Sequence, residues 1–592
     1  MMKRGRAYRT SSWNLAEIIV RDYDSKFEEI NLLIKDFGGY KSVLNPKMSK
    51  IQFRKVVRDF EWIHNELWDL EASIELEYSA DTTSKNIIRA QSNFGKFTSD
   101  WSNNLLFFNR WIKKLKKRDF ERLVSAVPKN EAYFRGLIDG KKYSLSKRVE
   151  EIINLKDVGG VEVIRRTYTA LTSKFKFPFR INGKLNQLTE VEVENYFAHP
   201  DKNLRKRYFK SVAGVYSENA EVLGGLFIGI ATDWYNENVK IRRYKTPISV
   251  TNYNADVSDK AVDMLFKSCQ DNRIIFERYF EMKKYLCDVN EKFRYEDIYA
   301  PVKSKNQFKM SYNDAVHLII GSYEKFSKKM AKIVKDMFDN KHVHSRNSKT
   351  KIPQQFCYSL PQTMPFVIVN YNGNLDCVMV LAHEIGHSIH SELSRRNQNV
   401  LTFDASISLC ETASVFSEML ISENLLKFAD STDLKIKALV RQIDDAYATT
   451  IKQAYYSLFE VKAHDMVNSR VGASVEDLSN LYYENLNEQL GGSVFVAEYM
   501  KNNWLTVPHF FDNPFYCYSY AFGYLLTQAL YSKYEETGDD FVSKFENILK
   551  AGGAISPKDG SNLFDFNIER NSFYQKGFDR IDKKINELEK LL

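Results

Sequence analysis

The sequence predicts a mostly α-helical protein, and the placement of its prolines is the first observation behind that prediction. Because proline ends or kinks a helix, a long stretch without it leaves room for long helices. The chain of 592 residues has no proline between Pro46 and Pro128, or between Pro365 and Pro508. Both gaps hold apolar residues at the three- and four-residue spacing of a helix. They are Phe53, Val56, Val57, Phe60, Ile63 and Leu67 in the first gap, and Leu434, Ala438, Leu439, Ile443 and Ala446 in the second.

Strand signals are few and fall in two places. Around Phe177 to Leu188, two short runs flank Asn182-Gly183, a pair typical of a tight hairpin turn. Farther along the chain, Gln354–Leu360 and Met364–Asn370 are short apolar runs with prolines between them. These two runs predict a pair of adjacent strands.

The domain boundary is predicted where helical patterns resume after the hairpin. Long helices begin again at Leu204, so we place the boundary near residue 195. The predicted domains are an N-terminal helical domain, 1–195, and a second domain, 196–592. The C-terminal sequence IDKKINELEKLL is amphipathic and predicts a final helix that packs on the body of the protein.

Composition excludes several classes of protein. Hydrophobic residues make up 44% of the chain and charged residues 27%, which excludes a disordered or low-complexity protein. The 85 basic residues are interspersed with 76 acidic ones, so the net charge of +9 does not indicate a nucleic-acid partner. No apolar stretch approaches the roughly 20 residues of a membrane span, and the basic N-terminus lacks the apolar segment of a signal peptide. We therefore expect a cytoplasmic protein that binds neither membrane nor nucleic acid.

The strongest chemical signal is Val380–His390, VLAHEIGHSIH, in which His383, Glu384 and His387 form HExxH. Residues four apart on a helix share a face, so both imidazoles can reach one metal ion. Zinc favours such neutral nitrogen ligands, and the intervening glutamate is placed to take a proton from a zinc-bound water. Asn374 is a good N-cap for this helix. The apolar residues that fall on the side opposite the two histidines are Val378, Leu381, Ile385 and Ile389.

A zinc hydrolase usually has three protein ligands and one open position, so a third ligand is required. His390 is about two helical turns from His383, too far for one ion to hold both, and is expected to pack near the site. A second predicted helix, Ala405 to Lys427, carries Glu411 and Glu418 on one face. Either glutamate can be the ligand while the other orients a histidine. The spacing alone leaves both assignments open.

Beyond this spacing, the sequence resembles a known family. HEIGHSIH, followed 24 residues after His387 by the glutamate of ETASVFSE, is similar to the thimet oligopeptidase and oligoendopeptidase F family of zinc metallopeptidases. The oligoendopeptidase F branch is the most similar, with Cys410 standing where an alanine is common. The likeness covers residues 180 to 592 well and the N-terminal part weakly. Further similar segments, in the same order, are NGKLNQLTEVEVENYFAHPDKNLRKRYFKS (Asn182–Ser211), YEDIYAPV (Tyr295–Val302), MPFVIVNYNGN and PHFFDNPFYCYSYAFGYLL.

The resemblance implies a fold and a set of roles. It implies a two-lobed helical ellipsoid with a deep central channel and a small β-sheet beside the HExxH helix. It assigns Glu411 as the third zinc ligand and Glu418 as the residue that supports a histidine. It also implies that His509, Tyr516 and Tyr520 approach the substrate. An imidazole or phenol aimed at the attacked carbonyl stabilises the negative charge that develops there.

The predicted strand Met364–Asn370 has two interpretations. An exposed strand edge can pair with an extended peptide backbone, which would make Phe366, Val367 and Ile368 substrate-binding residues. A strand buried in the core, with no such role, is an equal alternative.

These observations predict a zinc endopeptidase that hydrolyses internal bonds of short, unfolded peptides. One zinc ion is held by His383, His387 and Glu411, and Glu384 moves a proton from the attacking water to the leaving amine. One alternative is an exopeptidase, such as a metallo-carboxypeptidase, with the same site. The other is a zinc-containing peptide-binding protein without turnover, and the intact Glu384 argues against it because ligation does not need that residue. The sequence leaves the oligomeric state open.

Overall fold

The computed structural model describes residues 6–302, 308–428 and 431–592. About 69% of the chain is helical, and the few strands form small sheets, which confirms the predicted fold class. The chain folds into two compact units, each built from three segments. The first unit comprises Met1–Lys142, Gln307–Phe428 and Lys533–Asp565, and the second comprises Tyr143–Asn306, Ala429–Ser532 and Phe566–Leu592. The predicted domains, 1–195 and 196–592, are a different division of the chain and stay a prediction.

The helices follow one another through both units. The helices of the N-terminal segment are α1 (Tyr23–Gly38), α2 (Lys50–Ala80), α3 (Lys85–Lys114), α4 (Lys117–Val124) and α5 (Glu131–Asp139). The next segment holds α6 (Lys147–Gly159), α7 (Val161–Thr172), α8 (Glu190–Glu194), α9 (Lys202–Glu218), α10 (Ala220–Trp234), α11 (Ser249–Asn254), α12 (Asp259–Asn272) and α13 (Ile274–Leu286). The third holds α14 (Tyr312–Phe326), α15 (Lys328–Asp339), α16 (Leu375–Arg395), α17 (Ile407–Cys410) and α18 (Thr412–Phe428).

The remaining helices complete the two units. They are α19 (Thr432–Thr449), α20 (Ile451–Val467), α21 (Val475–Leu490), α22 (His509–Asp512), α23 (Tyr518–Thr537), α24 (Asp539–Ala551), α25 (Pro557–Asn562) and α26 (Asn571–Glu589). The last of these confirms the predicted C-terminal helix. No helix in the described ranges combines the length and apolar character that crossing a membrane requires.

The first unit has an aromatic core formed by α1 to α5. Helix α2 begins with a capping box, in which the Ser49 side chain accepts from the Gln52 backbone N–H and the Gln52 side chain accepts from the Ser49 N–H. Its apolar stripe then packs Phe53 and Phe60 against Phe108 of α3, all of them at most 1% exposed. The helical spacing read from the sequence therefore corresponds to a buried stripe.

Two small sheets account for the strands. Strands β1 (Phe177–Ile181) and β2 (Lys184–Leu188) form the predicted antiparallel hairpin. Asn182 and Gly183 connect them with φ values of 49° and 82°, the left-handed conformation that such a two-residue turn requires. The other sheet contains β3 (Val343–His344), β4 (Phe356–Tyr358) and β5 (Phe366–Ile368) in the order β3-β5-β4. Its strands β4 and β5 contact α16, which confirms the sheet expected beside the HExxH helix.

The second unit packs α20 against α21 around a buried tryptophan. Trp504 is 0% exposed and donates from Nε1 to Ser479 Oγ at 3.1 Å. The rings of Phe459 and Phe227 contact it at centroid distances of 5.7 and 5.2 Å. This core supports the α20 helix and the segment that follows Trp504, which carries several of the predicted site residues.

Candidate metal centre

Helix α16 presents the two histidines because its opposite face is buried. The helix begins where the Asn374 side chain accepts from the backbone N–H of Cys377 at 2.8 Å, as predicted for an N-cap. The four apolar residues predicted to face the core, Val378, Leu381, Ile385 and Ile389, are at most 1% exposed. His383 and His387 therefore project from the other face, one turn apart.

Glu411 lies at a break between two helices. The sequence predicted one continuous helix from Ala405 to Lys427, and this was wrong, because α17 ends at Cys410 and α18 begins at Thr412. Glu411 itself has φ −82° and ψ −3°. Ser414, in the first turn of α18, donates from Oγ to Glu411 Oε2 at 2.7 Å and holds the carboxylate.

Small residues allow α16 and α18 to approach each other closely. A Cβ atom on Gly386 would lie 2.5 Å from the backbone oxygen of Ala413 and 2.5 Å from the Cα of Ser414. Only glycine fits at that crossing. One turn away, Ser417 Oγ donates to the backbone oxygen of Ala382 at 2.6 Å. The sequence analysis missed these residues, although small side chains four apart on α16 and on α18 were the available signal.

The closely packed helices bring three donor atoms to one point. His383 Nε2 and His387 Nε2 lie 3.2 Å apart. Glu411 Oε2 lies 3.3 Å from the first nitrogen and 3.4 Å from the second. Donors about 2.0–2.1 Å from a tetrahedral zinc ion are separated by about 3.3–3.4 Å. The donor types and their separations therefore fit a zinc ion with three protein ligands.

Glu418 fixes the orientation of His383. Its Oε1 atom lies 2.8 Å from His383 Nδ1, on the far side of the ring from the donor cluster. With the proton on Nδ1, the Nε2 lone pair points at the position between the three donors. Such carboxylate–histidine contacts are the usual support of a metal ligand.

The electrostatics of the cluster favour a positive charge at its centre. Burial lowers the pKa of His383, but the carboxylates of Glu411 and Glu418 outweigh it and raise that pKa to about 10. Burial raises the pKa of Glu411, yet its contacts with the two imidazoles lower it overall. Because metal ligands must be deprotonated, a divalent cation competes with these protons for the same donors.

Glu384 is buried next to the cluster. It is 6% exposed, and burial raises the pKa of its carboxyl group while the charges of His383 and His387 oppose that rise. Within the described residues, no hydrogen bond or ion pair engages its carboxylate. His390, one turn beyond His387, is 7% exposed and lies outside the group of three donors.

Comparison with known proteins decides the family. The sequence profile described as Peptidase family M3 matches residues 196–580. The chain belongs to peptidase family M3. Membership implies metallo-oligopeptidase activity and confirms the resemblance drawn from the HExxH region.

Relatives of this M3 peptidase support the same assignment. An oligoendopeptidase F homolog of Borreliella burgdorferi is 23% identical over 603 aligned residues, covering 100% of both chains. A solved structure of a Chlamydophila abortus protein matches with a TM-score of 0.85 at 22% identity over 98% of each chain. The structure of oligoendopeptidase-F from Enterococcus faecium matches with a TM-score of 0.73 at 19% identity, over 96% of this chain and 98% of that one. At these identities the structural likeness shows the fold.

The other predicted site residues of this M3 peptidase, His509, Tyr516 and Tyr520, form one cluster in the second unit. His509 Nε2 lies 3.2 Å from the Tyr520 hydroxyl. The ring of Tyr516 is nearly parallel to that of His509, with centroids 5.7 Å apart, and lies 5.2 Å from that of Tyr520. Burial lowers the pKa of His509, which favours the neutral imidazole. The three side chains therefore contact one another.

The loop that carries Tyr516 is held by a buried glutamate that the sequence analysis missed. Phe515, the preceding residue, has a φ of 63°, unusual for a residue with a side chain. Its backbone N–H donates to Glu460 Oε1 at 2.8 Å. Glu460 is 0% exposed.

The structure corrects the peptide-binding interpretation of Phe366, Val367 and Ile368. These residues form β5, which is the central strand of its sheet and is 0% exposed. Strand β3 pairs with one edge of β5 and β4 with the other. Because both edges are already paired, β5 cannot add a substrate strand. The alternative of a core strand is the correct one.

Proposed function

We propose that this protein is a zinc-dependent endopeptidase that hydrolyses internal bonds of short, unfolded peptides. The observation that carries the proposal is the spacing of three donor atoms, 3.2 to 3.4 Å, among His383, His387 and Glu411. Membership of peptidase family M3 supports the reaction class.

His383, His387 and Glu411 would hold one zinc ion per chain, and Glu418 would support His383. A zinc ion held there would act as a Lewis acid, which polarises a carbonyl group and makes water a stronger nucleophile. Two neutral imidazoles and one carboxylate would reduce the 2+ charge of zinc to a net charge of +1 at the site. This positive charge suits an attack on the carbonyl that generates an anion.

Glu384 is the general base in this proposal. Its carboxylate accepts a proton from the attacking water and later delivers it to the leaving amine, so that one residue serves both halves of the reaction. The lack of a competing partner for this carboxylate among the described residues supports the assignment.

His509, Tyr516 and Tyr520 are proposed to donate hydrogen bonds to the oxygen that becomes negatively charged. The assignment rests on the family resemblance and on the contacts that join the three side chains. Neutral imidazole and phenol groups are suitable donors because they need no ionisation to act.

The outer edge of β4 is a better candidate for peptide pairing than β5. In the described part of the chain, β4 (Phe356–Tyr358) has a strand partner on one side only, and its three residues are half-buried. Main-chain pairing along a strand edge recognises a peptide without selecting its side chains, as an oligopeptidase with broad specificity requires.

The deciding experiment combines product analysis with metal analysis. Short peptides blocked at both termini are incubated with the wild type, with Glu384→Gln, and with protein treated with a zinc chelator. Products are identified by mass spectrometry, and bound zinc is measured by elemental analysis. We expect internal cleavage by the wild type, a loss of about 10²–10⁴-fold in E384Q with its zinc retained, and recovery of the chelated sample when zinc returns.

A matched control and two contrary outcomes complete the test. Glu324, an exposed residue of α14, is replaced by glutamine as the control, and E324Q should behave as the wild type. Cleavage restricted to peptides with a free terminus would instead indicate an exopeptidase. Binding of blocked peptides to zinc-loaded protein without any cleavage would indicate a peptide-binding protein.

A further inference from the structure

A polar cavity lies inside the second unit, apart from the residues assigned above. Its volume is about 240 Å³, and its wall includes Glu190, Glu194, Tyr208, Tyr299, Lys452 and Tyr456. A water molecule occupies about 30 Å³ of liquid, so the cavity holds more than a single structural water. Sites for drug-sized ligands begin at about 300 Å³. The cavity therefore suits a molecule smaller than those ligands.

The basic part of the cavity is formed by Lys452. Its Nζ atom donates to the Tyr299 hydroxyl at 2.9 Å and lies 5.3 and 5.6 Å from the ring centroids of Tyr299 and Tyr456. In the described part of the chain, no carboxylate forms an ion pair with this ammonium group. A half-buried lysine surrounded by tyrosines therefore retains an uncompensated positive charge.

The turn of α20 that carries Lys452 supplies no carboxylate to neutralise it. Lys452 lies in the first turn of α20, and that turn contains no acidic residue. Helix α19 ends at Thr449, directly before α20, so the dipoles of the two helix ends offset each other and the charge near the cavity is that of the lysine itself. The lysine and the adjacent Tyr299 hydroxyl form a site suited to a carboxylate.

The acidic part of the cavity is formed by Glu190 and Glu194 of α8. Both residues are exposed, whereas the tyrosine walls are buried or half-buried, so the glutamates lie towards the solvent. The Tyr208 hydroxyl donates to Glu194 Oε2 at 2.7 Å and holds that side chain. Burial and the charge of Glu194 raise the pKa of Glu190, as expected for two neighbouring carboxylates that repel each other. A cation between them would relieve that repulsion.

We infer that this cavity is a binding site for a free α-amino acid, with the carboxylate at Lys452 and Tyr299 and the ammonium group at Glu190 and Glu194. The separation of a basic part from an acidic part selects a zwitterion. An inorganic anion gains nothing from the two glutamates, and a simple cation gains nothing from the lysine. The tyrosine rings that line the cavity provide an apolar surface for an amino-acid side chain. The site is additional to the proposed peptidase function and does not depend on it.

Binding is tested with the zinc-loaded full-length protein and the twenty common L-amino acids, each measured separately by saturation-transfer NMR. The amino acid with the strongest signal is then titrated by calorimetry, next to its amide and its analogue without the amino group. We expect both analogues to bind at least about tenfold more weakly, because each lacks one charged contact.

Variants locate the binding. Lys452→Met should lower the affinity at least about tenfold, whereas Lys462→Met, at an exposed position of the same helix, should leave it unchanged. His387→Ala, which removes a candidate zinc ligand, should also leave the affinity unchanged, because the cavity is separate from the metal centre. A loss of affinity in this variant would mean that the amino acid binds at the metal centre, contrary to the inference. If K452M does not fold, as judged by circular dichroism, Tyr299→Phe and Glu190→Gln replace it and should each weaken binding.

Three results would overturn the inference. The first is an absence of saturation transfer from the wild type to any of the twenty amino acids. The second is equal affinity for the amino acid and its amide, because the carboxylate would then have no part in binding. The third is wild-type affinity in K452M, or in both replacement variants.

Discussion

Glu418 orients His383 through one hydrogen bond, in which its Oε1 atom lies 2.8 Å from His383 Nδ1. Glu418→Ala removes the acceptor that holds this ring, and we expect zinc affinity to fall about 10–100-fold. Competition with a chromophoric chelator measures the change. E324Q again provides the control on an exposed helix face, and unchanged zinc affinity in E418A would show that the contact has no role in metal binding.

Glu460 gives a prediction about pH. Burial raises the pKa of Glu460 well above its usual value, so the folded protein keeps this side chain protonated where the unfolded chain releases the proton. Above about pH 4.5 the folded state thus binds more protons, and its stability falls as pH rises towards the folded-state pKa. Glutamine keeps an oxygen that can accept from the Phe515 N–H and cannot ionise. We therefore expect the melting temperature of Glu460→Gln, relative to the wild type, to increase between about pH 5 and pH 9.

The exposed Glu484, in the neighbouring helix α21, provides the matched control. The difference in melting temperature between Glu484→Gln and the wild type should stay flat over the same pH range. A flat difference for E460Q as well would mean that Glu460 is ionised in the folded protein, contrary to the effect of its burial.

Individual residues were predictable where their role depends on local spacing. His383, Glu384 and His387 were found because a helix places residues four apart on one face, and the buried apolar stripe marked the other face. Spacing could not choose between Glu411 and Glu418, because the choice depends on which nitrogen of the His383 ring each carboxylate contacts, and the packing of α18 against α16 sets those contacts. It could not find Glu460 either, since nothing local distinguishes a buried glutamate from one on a solvated helix face.

At the scale of elements, the crossing of α16 and α18 sets the site. A Cβ atom added at Gly386 would meet backbone atoms of Ala413 and Ser414 at 2.5 Å, and backbone cannot move aside as a flexible side chain can. Gly386→Ala should therefore destabilise the protein by about 1–3 kcal/mol and separate the donors. A lower apparent melting temperature and weaker zinc binding measure these effects.

Gly321→Ala is the matched control for this prediction. Gly321 lies within α14 of the same unit, and an added Cβ would meet nothing within 4 Å. This substitution should leave zinc affinity unchanged and be neutral or stabilising by about 0.5–1 kcal/mol, because alanine favours a helix. Equal behaviour of G386A and G321A would show that the crossing tolerates a methyl group.

Elements were predictable in type but not in pairing. The strand at Phe366–Ile368 was expected from its apolar run, yet its central place in the sheet depends on β3, which contributes only two residues, Val343 and His344. A two-residue strand leaves no pattern in the sequence. The peptide-binding interpretation of β5 was wrong for this reason.

At the scale of the molecule, the two units each combine distant segments of the chain. Helical periodicity reports which face of a segment is buried, but not which other segment covers it. The sequence could therefore predict a mostly helical fold, while the composition of the compact units came only from the structure. All three candidate zinc ligands belong to the first unit, as do Glu384 and Glu418.

This grouping gives a prediction about metal removal. Zinc held by α16 and by the α17–α18 junction would stabilise the first unit by RT ln(1 + [Zn]/Kd), about 4 kcal/mol at a thousandfold excess over Kd. A chelator should therefore increase amide hydrogen exchange in α16 and α18 while leaving α20 and α21 of the second unit unchanged. A His387→Ala, Glu411→Gln double variant should show fast exchange in α16 and α18 before chelation and no further change after it. Faster exchange that spreads equally through both units would mean that the metal stabilises the molecule as a whole, and not the helices that carry its ligands.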